Sequence, residues 1–140
     1  MMHVTRRYRF SASHRLHSET LPEDRNREVY GKCNNQHGHG HDYVLDVGVV
    51  GPLEESTGQV VNIAALDDLV RRYVLQDFEH RNLNVDVPDF QDIVPTSENL
   101  AFAIRDRLAT HWSDVFPQAQ PRLETIRLQE TKRNHFELRA

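Results

Sequence analysis

Three histidines alternate with glycine in Gln36-His37-Gly38-His39-Gly40-His41, and the only cysteine, Cys33, lies just upstream. If this segment enters a β-strand, every second side chain faces the same way. His37, His39 and His41 then share a side, and the glycines leave room for an ion or a substrate. Two imidazoles at i and i+2 make adjacent ligands, and a third nitrogen completes the three-ligand, one-open-position arrangement of catalytic zinc. His14 is the candidate, because it ends a neighbouring alternating segment. The competing reading is a set of solvated loop histidines. Cys33 has three readings: a proton-transferring or nucleophilic thiol activated by a nearby cation, a fourth ligand closing a structural zinc site, or an inert buried thiol. Its neighbours Gly31, Lys32, Asn34 and Asn35 are small or polar, which disfavours the last.

Two further groups have the residue types for chemistry. Glu79-His80 sets a carboxylate beside an imidazole, a pair suited to proton transfer because the acid can orient the ring; the plain alternative is a solvated helix-end pair. Glu130, on an alternating segment, is either an edge charge or a pocket carboxylate able to accept two hydrogen bonds from an amino-imino edge such as that of a pterin.

The elements that must position these groups follow from hydrophobic period. His3 to Leu16 alternates Val4, Arg6, Tyr8 and Phe10 with other residues and reads as a strand. The polar stretch His17 to Gly31, with Pro22, reads as a surface loop. Asp42 to Val50 is rich in valine, leucine and tyrosine and reads as a second strand ending at Gly51-Pro52. From Asn62, a candidate N-cap, Ile63, Leu66, Leu69, Val70, Tyr73 and Val74 fall at helical spacing. A second helix begins at Thr96 or Ser97 and buries Leu100, Ala103, Ile104, Leu108 and Trp112. Leu123 to Glu130 alternates, with Glu124, Ile126, Leu128 and Glu130 on one face, and forms a hairpin with His135 to Arg139. The order ββααββ predicts an α+β fold, with a four-stranded antiparallel sheet and both helices on one face. Such a sheet leaves two edges for other subunits to cover, so a homo-oligomer is expected.

Composition narrows the class. A chain of 140 residues without repeats or linkers reads as one domain spanning 1–140. Net charge is −4 with histidine neutral, so no basic footprint points to nucleic acid. No window approaches the roughly 18 apolar residues of a membrane span, and Met1 to Arg9 lacks a signal-like apolar core. A lone cysteine cannot form an internal disulfide, which suits a reducing, cytoplasmic setting.

Read together, these residues resemble the 6-pyruvoyltetrahydropterin synthase family, which includes the 6-carboxytetrahydropterin synthases of queuosine biosynthesis. The resemblance is carried by Phe10-Ser11-Ala12-Ser13-His14-Arg15-Leu16, Gly31-Lys32-Cys33-Asn34-Asn35, Gly38-His39-Gly40-His41-Asp42-Tyr43, Thr57-Gly58-Gln59-Val60, Glu79-His80-Arg81-Asn82-Leu83-Asn84, Pro95-Thr96-Ser97-Glu98-Asn99 and Glu130-Thr131, in the family's order. It implies the tunnelling fold, in which subunits form a hexamer or other ring-shaped barrel. It also implies Zn2+ on His14, His39 and His41 with His37 outside the set, and 7,8-dihydroneopterin triphosphate as substrate. In that reading Cys33 abstracts a proton, His80 with its neighbouring acid is the second proton-transfer group, and Glu130 anchors the pterin with Thr96 and Ser97 nearby. The metal acts as a Lewis acid, triphosphate leaves by elimination, and no redox cofactor is needed. The chain departs from the family at Glu79, where aspartate is usual; the extra methylene bears on the position of the His80 ring.

The resemblance leaves the product open between a retained pyruvoyl side chain and a carboxyl group formed with release of acetaldehyde. The long segment from Cys33 to His39 is more similar to the pyruvoyl-forming enzymes. A non-catalytic metal- or pterin-binding oligomer and an aldolase acting on dihydroneopterin are the other readings; the aldolase would need no zinc, which the histidine cluster disfavours. Arg25, Arg27 and Lys32 are candidates for holding the triphosphate.

Overall fold

The computed structural model covers residues 1–140. Its spine is an antiparallel pair, β1 (Met2–His14) and β2 (His39–Gly51), in register from Met2 opposite Gly51 to His14 opposite His39. β4 (Arg122–Thr131) continues the sheet beside β2, and β5 (Asn134–Arg139) completes the expected C-terminal hairpin. On the other side a fifth strand, β3 (Arg81–Asn82), runs parallel to β1 at Ala12 and Ser13, giving the order β3-β1-β2-β4-β5. The sheet therefore has five strands rather than four and is not wholly antiparallel. Two residues are too few for a period of two to mark a strand.

Alternation gives the sheet a core face, with Phe10, Ala12, Tyr43, Leu45, Val47, Val49, Ile126 and Leu128 all buried. Two helices cover it: α2 (Ile63–Val70) through Leu66 and Leu69, and α4 (Ser97–Val115) through Leu100, Ile104 and Leu108. The expected caps form, since Asn62 Oδ1 accepts the Ala65 N–H at 3.0 Å and Thr96 Oγ1 accepts that of Asn99 at 3.2 Å. α2 continues through a π-helical turn at Arg71–Leu75 into Gln76–Phe78. The wider turn offsets the angular drift of residues four apart, and Val70, Val74 and Phe78 all stay buried. Arg107 ties α4 to the segment before it: its guanidinium grips Asp89 at 3.0 and 2.7 Å and donates to Asp77 and the Tyr73 carbonyl. Those hydrogen bonds hold the Asp89 carboxyl below its usual pKa.

Helical structure also forms within His17 to Gly31, where a loop was expected: α1 spans Glu23–Tyr30. A 3-10 turn at Gly31–Asn34 then precedes the histidines, and α3 (Leu83–Asp86) follows β3. The only residue α1 buries is Asn26. Its Nδ2 donates to the Ser18 and Leu21 carbonyls, both at 3.0 Å, and its Oδ1 accepts the Ser18 N–H at 2.7 Å. A helix held by one amide has no apolar stripe, so periodicity could not reveal it. No helix is long and apolar enough to cross a membrane.

Two bulges interrupt the alternation expected of β4. Glu124 has no partner in β2, because Thr125 pairs with Gly48 and Leu123 with Val49. That extra residue turns Leu123 into the core with Ile126 and Leu128, the opposite of strict alternation. Glu130 is the extra residue against β5. At the first bulge the strands approach so closely that a Cβ on Gly48 would lie 1.9 Å from Thr125 Oγ1. We predict that Gly48→Ala destabilises the protein by about 1–3 kcal/mol in urea unfolding, and that Thr125→Ala in the same chain recovers most of the loss. Simple additivity of the two substitutions would show that this contact is not the constraint.

Candidate active site

The pairing of β1 with β2 brings the three expected histidines together. His14 ends β1 opposite His39, which starts β2, and His41 faces the same way two residues on. Their ring centroids lie 4.5–4.9 Å apart, each pair edge-on. His14 is fully buried, and its Nδ1–H donates to the Pro95 carbonyl at 2.9 Å. That bond leaves Nε2 as a bare lone pair, and this buried atom has no hydrogen-bond partner. An orphaned buried acceptor costs about 1–3 kcal/mol. His39 Nε2 and His41 Nε2 are 2.7 Å apart, and Cys33 Sγ is 3.5 Å from His39 Nε2. Glu130 Oε1 lies 2.9 Å from His41 Nε2 and 3.9 Å from that of His14. One ligand atom from each of these five residues lies within 4.8 Å of all the others. The donor set fits a divalent metal, and an ion would satisfy the bare His14 nitrogen.

The electrostatics point the same way. Burial drives the His14 pKa down to about 4, and burial followed by the neighbouring His41 lowers that of His39. At neutral pH these rings are already in the unprotonated form that binds a metal. Burial, reinforced by Glu130, pushes the Cys33 thiol up, and burial does the same to the Tyr43 hydroxyl beneath the cluster.

Backbone contacts fix the thiol. The Leu16 N–H donates to the Cys33 carbonyl at 2.7 Å, and Asn34 Nδ2 donates to the Leu16 carbonyl at 2.8 Å. Asn84 clamps the residue before Leu16 by accepting the Arg15 N–H and donating to its carbonyl, at 2.7 and 2.8 Å. Gly38, at φ 72°, is the close approach between the two ligand strands: a Cβ there would sit 2.8 Å from the His14 carbonyl oxygen. His37 precedes the strand in an exposed turn, so it does not share the face of His39 and His41 and takes no part in the cluster.

Of the remaining expected residues, Ser97 joins the site, donating its hydroxyl to Glu130 Oε2 at 2.5 Å. Thr96 has its oxygen engaged in capping α4. The structure does not bring Glu79 and His80 to Cys33 of the same chain. His80 Nε2 donates to Glu79 Oε1 at 2.9 Å, with its side chain 80% exposed, and Glu79 Oε2 accepts the Ser11 N–H at 3.2 Å. The ring lines a shallow cavity of about 290 Å³ at the β1–β2 edge with Ser11, Ser13, His41 and Asp42, and it makes no hydrogen bond to Cys33 or to the other members of the cluster. Sequence reasoning missed Tyr43, the Pro95 carbonyl and the anchoring amides Asn34 and Asn84. Pro95 is the least accessible of these, since a backbone oxygen leaves no mark on residue type.

The fold and site together define a known class. The sequence profile of 6-pyruvoyl tetrahydropterin synthase matches residues 3–140, and the chain belongs to that family. It is 43% identical over 132 residues to the 6-pyruvoyl tetrahydrobiopterin synthase of Poecilia reticulata, covering 94% of this chain and 86% of the relative. The structure of the 6-pyruvoyl tetrahydropterin synthase of Caenorhabditis elegans matches with a TM-score of 0.88 and 37% identity, covering 99% of this chain and 95% of that one. The 6-carboxy-5,6,7,8-tetrahydropterin synthase of Rickettsia conorii is 30% identical over 80 residues, 57% of this chain and 49% of the relative.

His14 gives the metal-free protein a pH signature. Its folded pKa of about 4 lies below the ordinary imidazole value of 6.5, so the unfolded chain takes up this proton first and stability falls as pH drops from 6.5 to 4. One group contributes at most about 1.4 kcal/mol per pH unit in that window and nothing above it. Urea unfolding of His14→Gln is expected to lack this part of the acid slope; an unchanged slope would rule the assignment out.

Proposed function

We propose that the chain is a zinc-dependent lyase that converts 7,8-dihydroneopterin triphosphate to 6-pyruvoyltetrahydropterin with loss of triphosphate. The observation that carries this reading is the bare, buried Nε2 of His14 facing His39 and His41, with a thiol beside them. The three imidazoles would hold the zinc, whose Lewis acidity polarises the oxygens of the substrate side chain. Cys33 is left outside the ligand set, within reach of the reacting carbons, where its sulfur takes a proton from the side chain. Glu130 anchors the pterin by accepting hydrogen bonds from its amino-imino edge; Ser97 already orients one carboxylate oxygen for that task. Pyruvoyl formation is favoured over carboxyl formation because the pyruvoyl-type relative matches nearly the whole chain.

His80 takes its place through assembly. β3 covers β1 only at Ala12 and Ser13, so the rest of that edge is open, as is the outer edge of β5. Open edges invite pairing between copies, and a homo-oligomeric ring would bring the exposed His80 and Glu79 of one copy toward the Cys33 of another. In that setting Glu79 fixes the imidazole and His80 exchanges a proton with the substrate.

Incubation of zinc-loaded protein with 7,8-dihydroneopterin triphosphate should release triphosphate and a 6-pyruvoyl product by mass. Acetaldehyde with a 6-carboxy product would overturn the choice of product. Zinc binding without release of triphosphate would favour a binding protein. His39→Ala should abolish zinc binding and turnover while preserving the circular dichroism spectrum. Cys33→Ala and His80→Ala should each lower kcat by about 10²-fold or more, the scale of a lost acid-base group. If the site is shared between copies, mixing the two inactive variants after dissociation and reassembly restores part of the activity; a mixture as inactive as its components would refute sharing.

A further inference from the structure

A cavity of about 710 Å³ has no apolar side chain in its lining. Arg15, Arg27 and Lys32 contribute three cations, with His17 beside them and Glu23 as the one carboxylate. None of the three cations forms an ion pair, whereas Arg25, on the same helix as Arg27, is engaged by Glu28 at 2.9 Å and does not line the cavity. The cavity is built into the scaffold of the site. Arg15 directly follows the ligand His14, and its Nε donates to the Asn34 carbonyl at 3.3 Å, leaving the outer guanidinium nitrogens free. Lys32 and Asn34 flank Cys33 on the 3-10 turn. Gly31, at φ 55°, ends α1 and bends the chain, so that Arg27 before the bend and Lys32 after it face one space.

We propose that this cavity is the subsite for the polyphosphate tail of the substrate, with Arg15, Arg27 and Lys32 as its anion-binding residues and Arg25 excluded. This rests on the functional reading above and deepens it. Polar walls and unpaired cations suit a hydrated, highly charged chain of phosphates and no apolar ligand. Guanidinium groups bind phosphate oxygens in pairs, and an ammonium adds a point charge. The position beside Cys33 places the leaving group at one end of the reacting side chain while Glu130 holds the ring at the other. Arg27 and Lys32 then contribute to substrate binding and leave proton transfer to Cys33 and His80.

The test uses inorganic tripolyphosphate as the probe and the zinc-loaded full chain. Isothermal titration should show binding that weakens with added salt, as exposed charge pairs do. Arg27→Gln and Lys32→Gln should each weaken it about tenfold, the scale of one lost charge-assisted hydrogen bond. Arg25→Gln should leave it unchanged. In turnover with 7,8-dihydroneopterin triphosphate, the two cavity variants should raise KM by a similar factor with kcat nearly preserved, and all should bind phosphate-free 7,8-dihydroneopterin as wild type does. Tripolyphosphate binding unaffected by either cavity substitution, or affected equally by Arg25→Gln, overturns the subsite. If wild type fails to turn over the substrate but loses tripolyphosphate binding in the two variants, the anion site stands and the functional reading fails.

Discussion

Register between β1 and β2 is the constraint on which the rest of the molecule depends. Because side chains alternate with a period of two, pairing His14 with His39 places His14, His39 and His41 on the same face as Tyr43, Leu45 and Val47. A slip of one residue would turn one strand over relative to the other, parting His14 from His39 and His41 and exposing the apolar row of the strand that turned. The apolar burial that holds the helices on the sheet therefore also fixes the ligand geometry. The histidines sit where that core layer ends and a polar rim begins, which is why one of them is buried enough to stay neutral far below its ordinary pKa.

Around that pair the chain supplies chemistry from segments with little regular structure. Cys33 comes from a 3-10 turn, Glu130 from a bulge, the Pro95 carbonyl from the connection before α4, and Ser97 from the first turn of α4. Each is locked by a specific contact to the sheet or to its neighbours. The bulge at Glu130 illustrates the logic: an extra residue in one strand re-aims a side chain that regular alternation would have placed by periodicity alone.

Much of this was legible in the sequence. Periodicity gave the two long strands, both major helices with their Asn62 and Thr96 caps, and the C-terminal hairpin, and the spacing of histidines with glycine pointed to the cluster around His39 and His41. What escaped reading had no apolar period to read. β3 is two residues long, α1 is held by a polar side chain, and the bulge at Glu124 reversed the face of Leu123. His37 was expected to join its neighbours because the strand was taken to begin earlier; the left-handed Gly38 sets the start at His39. The exposed position of His80, paired with Glu79 at the end of the sheet edge, was illegible for a different reason, since it depends on how the chain turns at a residue with φ 57°.

The Asn26 amide has a thermodynamic consequence for the region that carries Arg27. Most folded segments resist opening because they hide apolar surface, and the free energy of that opening carries a large heat-capacity term. The lobe around α1 hides almost none; it is fastened by a few hydrogen bonds around one side chain. Its opening therefore exposes little new surface, is nearly insensitive to denaturant, and is uncoupled from melting of the sheet. In hydrogen exchange such a lobe belongs to the first cooperative unit to open, while the amides of β1 and β2 exchange with the last.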